Sequence, residues 1–462
     1  MSESTTKTSE ISNQPISKLF WRYTLPAVMG MVVNGLYAVI DGIFIGRAVG
    51  AEGLAAINLA WPLFGVLIGI GLMIGIGASA QYSIARGAGK HGKAQNILGN
   101  AFVLLPLFSF IFGAVLYNFT VWGMELQKAS DQVMHHGTAY LHLMSLGALP
   151  AMAGAALPMM VRNDEQPRLA TQLMCLGAGL NIALDWLFVV YLKQEVAGAA
   201  VATVIAQLVV TILGAGYFFS NRALEKLTLK TLNLNLKLSW HTLATGFSSL
   251  IMFMYFSFVL IIHNRLFSVH GGVVTLAAFS IVGYVQTFYY MFAEGVGHGI
   301  QPLVSYNKGA GNSNNIRAAL MLAMKVVLGV GIATLLLINL LPQTIAGIFA
   351  AEDQALIEAT TTGFRLHLFT LFLDGLIVVG AAYFQALALA RLATFISMGN
   401  MLVQLPLLAT LPNWLGVTGV WISMPISNIF LAVVVILVIR RDLRMRKALK
   451  PVASESELQN AA

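Results

Sequence analysis

The 462-residue sequence predicts an all-α integral membrane protein of twelve transmembrane helices, set as two six-helix lobes related by a parallel pseudo-two-fold repeat. Three observations carry that expectation. Hydrophobic residues make up 58% of the chain and charged residues only 10%, where a soluble domain carries about a quarter charged, and the mean hydropathy is +0.78. Polar clusters divide the chain into twelve apolar stretches, most of them of the ~20 residues or more that a helix needs to cross a bilayer. The two halves match each other at an offset of about 222 residues.

In chain order, residues 1–18 are polar and Ser/Thr-rich and lack an apolar run ending at a small-residue cleavage site, so they read as a retained cytoplasmic tail and not as a signal peptide. Six spans are expected near 19–45, 54–84, 96–122, 136–160, 169–192 and 197–219, which together make an N-terminal lobe over 19–219. A basic cytoplasmic linker, 220–239, leads to six more near 240–266, 274–306, 318–342, 360–389, 393–411 and 416–438, the C-terminal lobe over 240–438. Residues 439–462 form a second cytoplasmic tail. An even number of spans puts both ends on one side. Most of the 27 Lys and Arg residues fall in the tails and in the loops after even-numbered spans, which makes that side the cytoplasm. The tail cluster Arg440, Arg441, Arg444, Arg446, Lys447 and Lys450 reads as a topology anchor that can also touch anionic lipid. The net charge of +8 therefore implies no nucleic-acid partner. A single cysteine, Cys175, allows no internal disulfide and no thiolate metal cluster.

The repeat is carried by the order of its matches. Leu54-Ala55-Ala56 pairs with Leu276-Ala277-Ala278, Gly75 and Gly77 with Gly297 and Gly299, Ser83 with Ser305, and Gly87-Ala88-Gly89 with Gly309-Ala310-Gly311. With one-residue slips, Arg168-Leu169-Ala170-Thr171 pairs with Arg391-Leu392-Ala393-Thr394. Each half has an even span count, so both enter from the same side and are related by an axis along the membrane normal.

Two carboxylates break the pattern. Asp41 lies opposite His263 and Asp185 opposite Pro406, so the acidic pair belongs to the N-terminal half alone. A charge at the bilayer centre costs roughly 2.5–3.5 kcal/mol on insertion scales, and such residues usually line an ion or substrate path. Asn181 and Asp185 share a helix face by i,i+4 spacing; Thr203 in the next span offers a hydroxyl and Tyr140 in span four a phenol. Two neighbouring carboxylates in a low dielectric resist ionising together, as a proton relay requires. The plainer alternative for Asp41 is a pair with Arg47 near the outer end of its span. No ATP-binding loop accompanies the spans, so an ion gradient is the expected energy source and no cofactor is expected.

The pattern Val39-Ile40-Asp41-Gly42-Ile43-Phe44-Ile45-Gly46-Arg47 followed by Leu54-Ala55-Ala56, with Arg86-Gly87-Ala88-Gly89, Leu180-Asn181-Ile182-Ala183-Leu184-Asp185 and Gln301-Pro302-Leu303-Val304-Ser305-Tyr306-Asn307-Lys308-Gly309-Ala310-Gly311, resembles the multidrug and toxic compound extrusion (MATE) transporters. The likeness runs from about 18 to 440 and points to the DinF-like branch. It implies a secondary active exporter in the inner (plasma) membrane, a monomer that antiports cationic or amphipathic small molecules against protons by alternating access. Sodium coupling is the alternative, and a lipid-linked precursor flippase of similar architecture is a further one that the acidic intramembrane residues argue against.

The same resemblance maps a proton/cation coupling site onto Asp41, Asn181, Asp185 and Thr203, and a helix-bending proline onto Pro26, fifteen residues before Asp41. The glutamate that NorM-type members carry in span seven is missing from Met252-Phe253-Met254-Tyr255-Phe256-Ser257, whereas Asp374 matches a family aspartate in span ten. Glu294 and His298, spaced i,i+4, are expected to join Asp374, Met252 and Tyr255 around a C-lobe cavity. Phe253, Met254, Phe288 and Tyr289 are further candidates for an adaptable drug surface. His263 is expected at the outer membrane interface. Gly65 and Gly69, and Gly71 and Gly75, have the small-xxx-small spacing of close helix contacts.

Overall fold

A computed structural model describes residues 10–350 and 353–448, so residues 1–9 of the expected N-terminal tail and 449–462, with Lys450, lie outside the described residues. The chain is helical almost throughout, as a backbone in lipid must be to satisfy its own N–H and C=O groups. In the first half the helices are α1 (Glu10–Asn13), α2 (Ile16–Ala48), α3 (Ala51–Gly87), α4 (His91–Leu126), α5 (Asp131–Leu146), α6 (Ala148–Asn163), α7 (Pro167–Asp185) and α8 (Glu195–Phe219). The second half holds α9 (Leu236–Gly309), α10 (Ser313–Leu340), α11 (Pro342–Ala350), α12 (Gln354–His367), α13 (Leu371–Ala386), α14 (Ala390–Leu415) and α15 (Val417–Ala448).

Nine helical stretches among the described residues are long and apolar enough to cross a bilayer. α9 counts twice, because Gly272, at φ 72° and ψ −172°, breaks it into two crossings, a conformation open to glycine and to few other residues. Two bent pairs supply the rest: α5 and α6 meet at 64° around Gly147, and α12 and α13 at 50°. Twelve crossings in two lobes result. The bends, the short helices α1 and α11, and a π-helical turn over Trp186–Tyr191 are all absent from the sequence-based expectation. Polar caps set the starts of the C-terminal helices. Asn235 accepts a hydrogen bond from the Leu238 N–H (3.0 Å), Asn312 from Asn315 (3.1 Å) and Asp353 from Leu356 (3.0 Å).

Each lobe has its own apolar core, and each borrows a helix from the other. Residues of α3–α8 form the first core, and Leu238, Leu243 and Leu250 at the start of α9 pack onto it. The second core gathers α9, α10, α13, α14 and α15 residues together with Leu19, Phe20 and Tyr23 at the start of α2. α2 therefore leaves the second lobe's core before it reaches the first, where Ile45 is buried. The hand-over falls at Pro26–Gly30: the Thr171 hydroxyl of α7 donates to the Pro26 carbonyl (2.6 Å), and Gly30 lies against the Met174 sulfur. The helix runs unbroken through Pro26.

Between the lobes the closest approaches are made by glycines. A Cβ on Gly87 would stand 2.0 Å from the Tyr306 carbonyl oxygen, and one on Gly309 2.0 Å from that of Ile84. These two contacts are images of each other under the repeat. A Cβ on Gly77 would stand 2.0 Å from the Thr242 carbonyl oxygen, one on Gly246 1.8 Å from that of Met73, and one on Gly299 2.5 Å from the Thr24 Cα. At the opposite end of the lobes nothing lies within 4 Å of a Cβ on Gly42 or Gly283. The lobes are thus closed on the side that carries the tails. Within the first lobe, Gly71 and Gly75 let α3 approach the Met152 and Ala156 backbone of α6, as the small-residue spacing predicts, while Gly65 and Gly69 receive Phe253 and Leu250 of α9.

Polar ties fix the tail-side ends. Asp164, just past α6 and fully buried, accepts from the Tyr82 and Tyr217 hydroxyls and from the Leu224 N–H at 3.0 Å. Burial pushes its carboxyl above the usual range, against the pull of those three donors. Arg86 pairs with Glu165 at 2.9 Å, and Glu165 in turn accepts from the Glu10 N–H at 2.8 Å. The connecting stretch after α8 is held to α4 by Gln95, which donates to the Lys226 carbonyl, by His91 against Glu225, and by Asn100, which accepts from the Asn235 N–H.

Candidate functional site

α2 and α7 bring Asp41 and Asp185 near one another, and Asp41 Oδ1 and both Asp185 carboxylate oxygens are buried with no hydrogen-bond partner among the described residues. Asp41 faces Asp185 and not Arg47. Asp185 is fully buried at the last α-helical position before the π turn. One turn back, the Asn181 amide donates to the Thr203 hydroxyl of α8 (3.2 Å), and its oxygen, buried and without a partner, remains free to accept. Tyr140 is buried, edge-on to Phe64 at 6.3 Å, and near enough to both carboxylates to feel their charge. All five residues expected at the coupling site therefore lie in one neighbourhood. Tyr37 of α2 belongs to it too, since it lines the same cavity as Asn181 and Thr203. Its i,i+4 spacing from Asp41 is the signal that could have found it.

Asn181, Thr203 and Tyr37 open onto a cavity of about 280 Å³ that also reaches Trp61, Phe253 and Gln207. Glu294 and His298 line this same space from α9, and on their other side a second space of about 210 Å³ shared with Met252 and Gln385. Glu294 and His298 thus line a space between the lobes as well as one walled mostly by second-lobe residues, among them Met252, Val378, Ala381 and Ser397, and neither of these two spaces takes in Asp374 or Tyr255.

Asp374 and Tyr255 sit apart in a chamber of about 90 Å³ inside the second lobe, with Met252 reaching both spaces. There the Asn428 amide donates to Asp374 (2.6 Å) and the Tyr255 hydroxyl to Gln404. His263 does not reach an interface. It is 1% exposed, stacked on Phe279 with centroids 5.4 Å apart and edge-on to His367 at 5.8 Å, because α9, α12 and α15 close an aromatic cage around it. Of the other aromatic and methionine candidates, Phe253 faces the cavities, Met254 and Phe288 are about half exposed on the outer surface, and the Tyr289 hydroxyl is used up on the Val327 carbonyl.

Chemically, the arrangement offers a buried carboxyl pair able to share or exchange a proton, an amide and hydroxyl that can accompany either charge state, and an apolar, aromatic space large enough for part of a drug-sized molecule. Among the described residues no group of three or more His, Cys, Asp or Glu side chains is placed to hold a metal ion.

Comparison with known proteins bears on the family and the fold. The family pattern described as MatE matches residues 26–187 and 244–410. The multidrug export protein MepA of Staphylococcus aureus (strain MRSA252) is 23% identical over 427 residues, spanning 92% of this chain and 94% of that protein. Among solved structures, an outward-facing multidrug resistance MATE family transporter of the MOP superfamily superimposes with a TM-score of 0.87 at 23% identity, covering 96% of this chain and 99% of that one. The MATE multidrug transporter DinF-BH, solved in complex with rhodamine 6G, superimposes with a TM-score of 0.87 at 27% identity, covering 96% and 98%.

Proposed function

Because the chain belongs to the MatE family, whose pattern runs through both lobes, we propose that it is a secondary active multidrug exporter that antiports cationic or amphipathic compounds against protons through the carboxylate site of the first lobe. The observation that carries this reading is the buried Asp41–Asp185 pair beside Asn181 and Thr203. One proton can be held between two such carboxyls, and charging both in a low dielectric is costly enough to change the shape of the space around them. Export by the MepA relatives supports the transport direction.

Backbone-to-backbone contact of the two lobes on the side that carries the tails supports an alternating-access cycle in which that contact opens. In this reading both termini are cytoplasmic, the protein works as a monomer in the plasma (inner) membrane, and it needs no cofactor beyond the coupling ion. Proteoliposomes loaded with rhodamine 6G test it, with pH and sodium gradients imposed separately. Dye movement driven by the pH gradient in sodium-free buffer is the expected result. Movement driven by sodium at clamped pH, and absent without sodium, replaces proton coupling with sodium coupling. No movement under either gradient removes the exporter reading.

A further inference from the structure

Arg162, on the last turn of α6, is the largest completely buried side chain among the described residues. Its guanidinium makes no ion pair among the described residues. Nη1 meets the Met159 sulfur at 3.2 Å, Nη2 the Met174 sulfur at 3.7 Å, and Nε has no partner at all. Thioether sulfur is a weak acceptor, and a guanidinium has five N–H donors in a planar fork shaped for a carboxylate or phosphate. A buried charge left this poorly satisfied is strongly unfavourable unless another state or a ligand completes it.

The two sulfurs that cover the guanidinium are themselves walls of the 280 Å³ cavity, so one layer of methionine separates the charge from the substrate space. His298, another wall residue, already lies within range of that charge. Methionine side chains are unbranched and change rotamer readily, which makes this layer a movable cover. Met174 also rests on Gly30 of α2, at 2.8 Å from the position a Cβ would take, so the cover is in contact with the helix that carries Asp41.

We propose that Arg162 is the anion-binding group of the transport cavity. A zwitterionic amphiphile, one bearing a carboxylate besides its cationic or aromatic part, displaces Met159 or Met174 and places its carboxylate in the guanidinium fork. Its cationic part faces Glu294, one helical turn from His298 along α9. The inference rests on the exporter reading, and the test separates the two.

Equilibrium binding of rhodamine 6G, an ester, and of the free carboxylic acid obtained by hydrolysing that ester is measured on the full chain in nanodiscs. The two probes share the cationic dye and differ in that the acid carries a carboxylate where the ester carries its ethyl ester group, a difference that the wild-type protein and the variants meet alike. The wild-type protein is expected to bind both, and Arg162→Gln to lower the acid-to-ester affinity ratio about tenfold, the loss of one charge-assisted bidentate pair. Arg162→Lys, which keeps the charge but not the fork, is expected to fall between; it supplies the ratio if the glutamine variant does not fold. A wild-type protein that binds the ester and not the acid overturns this proposal and leaves the exporter intact. So does a ratio unmoved by either substitution. Failure to bind either probe overturns both readings.

Discussion

Asp185 is placed by a change of helix type. α7 ends at this residue and the chain continues as a π turn over Trp186–Tyr191, a wider geometry that often marks functional sites in helices. Asn181 could be joined to Asp185 by spacing alone, and the Asp41 partnership by the lack of a counterpart in the second half. The π turn was not legible, because apolar Trp-Leu-Phe-Val-Val-Tyr reads as ordinary helix, whereas Tyr37 was legible only through its i,i+4 spacing from Asp41, since a tyrosine near a membrane end otherwise reads as an interface residue. Asp185→Asn keeps the shape of the side chain but cannot titrate, so gradient-driven efflux is expected to vanish while expression and thermal stability stay near wild type. Full export by that variant would remove Asp185 from the mechanism. Asp164 belongs to stability instead. Replacing it by Ala leaves the Tyr82 and Tyr217 hydroxyls and the Leu224 N–H without their acceptor, at a cost of about 3 kcal/mol. Thermal unfolding in detergent reads that loss, and Asp164→Ala with wild-type stability would show the three donors finding other partners.

Among the helices α2 has the most demanding position, because its first half is buried in one lobe's core and its far half carries Asp41 into the other lobe's site. Pro26 lies at the hand-over, where the missing N–H leaves the Arg22 carbonyl without its usual partner and weakens the helix at one point. We propose that neutralising the Asp41–Asp185 pair lets α2 bend there and narrow the cavity. Labels on the segment 30–36 of α2 and on the 283–290 stretch of α9 are expected to change separation between pH 8 and pH 5, and Asp41→Asn to hold the low-pH separation throughout. A constant separation in protein that still transports discards the bend and leaves proton coupling untouched. Spans of this length were readable from apolar runs alone. The bends at Gly147 and between α12 and α13 were not, because a bend inside a continuous apolar run leaves no polar mark. Nor was the placement of Glu294 and His298, since i,i+4 spacing tells which residues share a face but not which neighbour that face meets.

For the whole molecule the repeat was the legible part: two of the glycine pairs matched at an offset of about 222 residues, Gly77 with Gly299 and Gly87 with Gly309, turn out to be points where the lobes touch. What no single sequence reveals is that Gly87 and Gly309 each press on the other lobe's backbone. Gly87→Val, whose Cβ has no room beside the Tyr306 carbonyl, is expected to hold the tail side apart. A cysteine at Ala88, in a chain with Cys175 changed to Ser, should then react faster with an impermeant thiol reagent applied from that side, and export should fall severalfold. Unchanged labelling with full export would mean that these contacts do not govern access. The chemistry of the joint has a consequence for the size of the driving force. Gly77, Gly87, Gly246 and Gly309 offer C–H groups to carbonyl oxygens, contacts worth about 0.5–1 kcal/mol each. The Gln81 amide adds a hydrogen bond to the Thr245 hydroxyl and the Gln301 amide one to the Ile76 carbonyl, each worth about 0.5–1.5 kcal/mol. Together these six contacts resist separation by roughly 3–7 kcal/mol, while a proton falling through two pH units would release about 2.7 kcal/mol. In the proton-coupled reading the joint is held by about as much free energy as one or two protons supply.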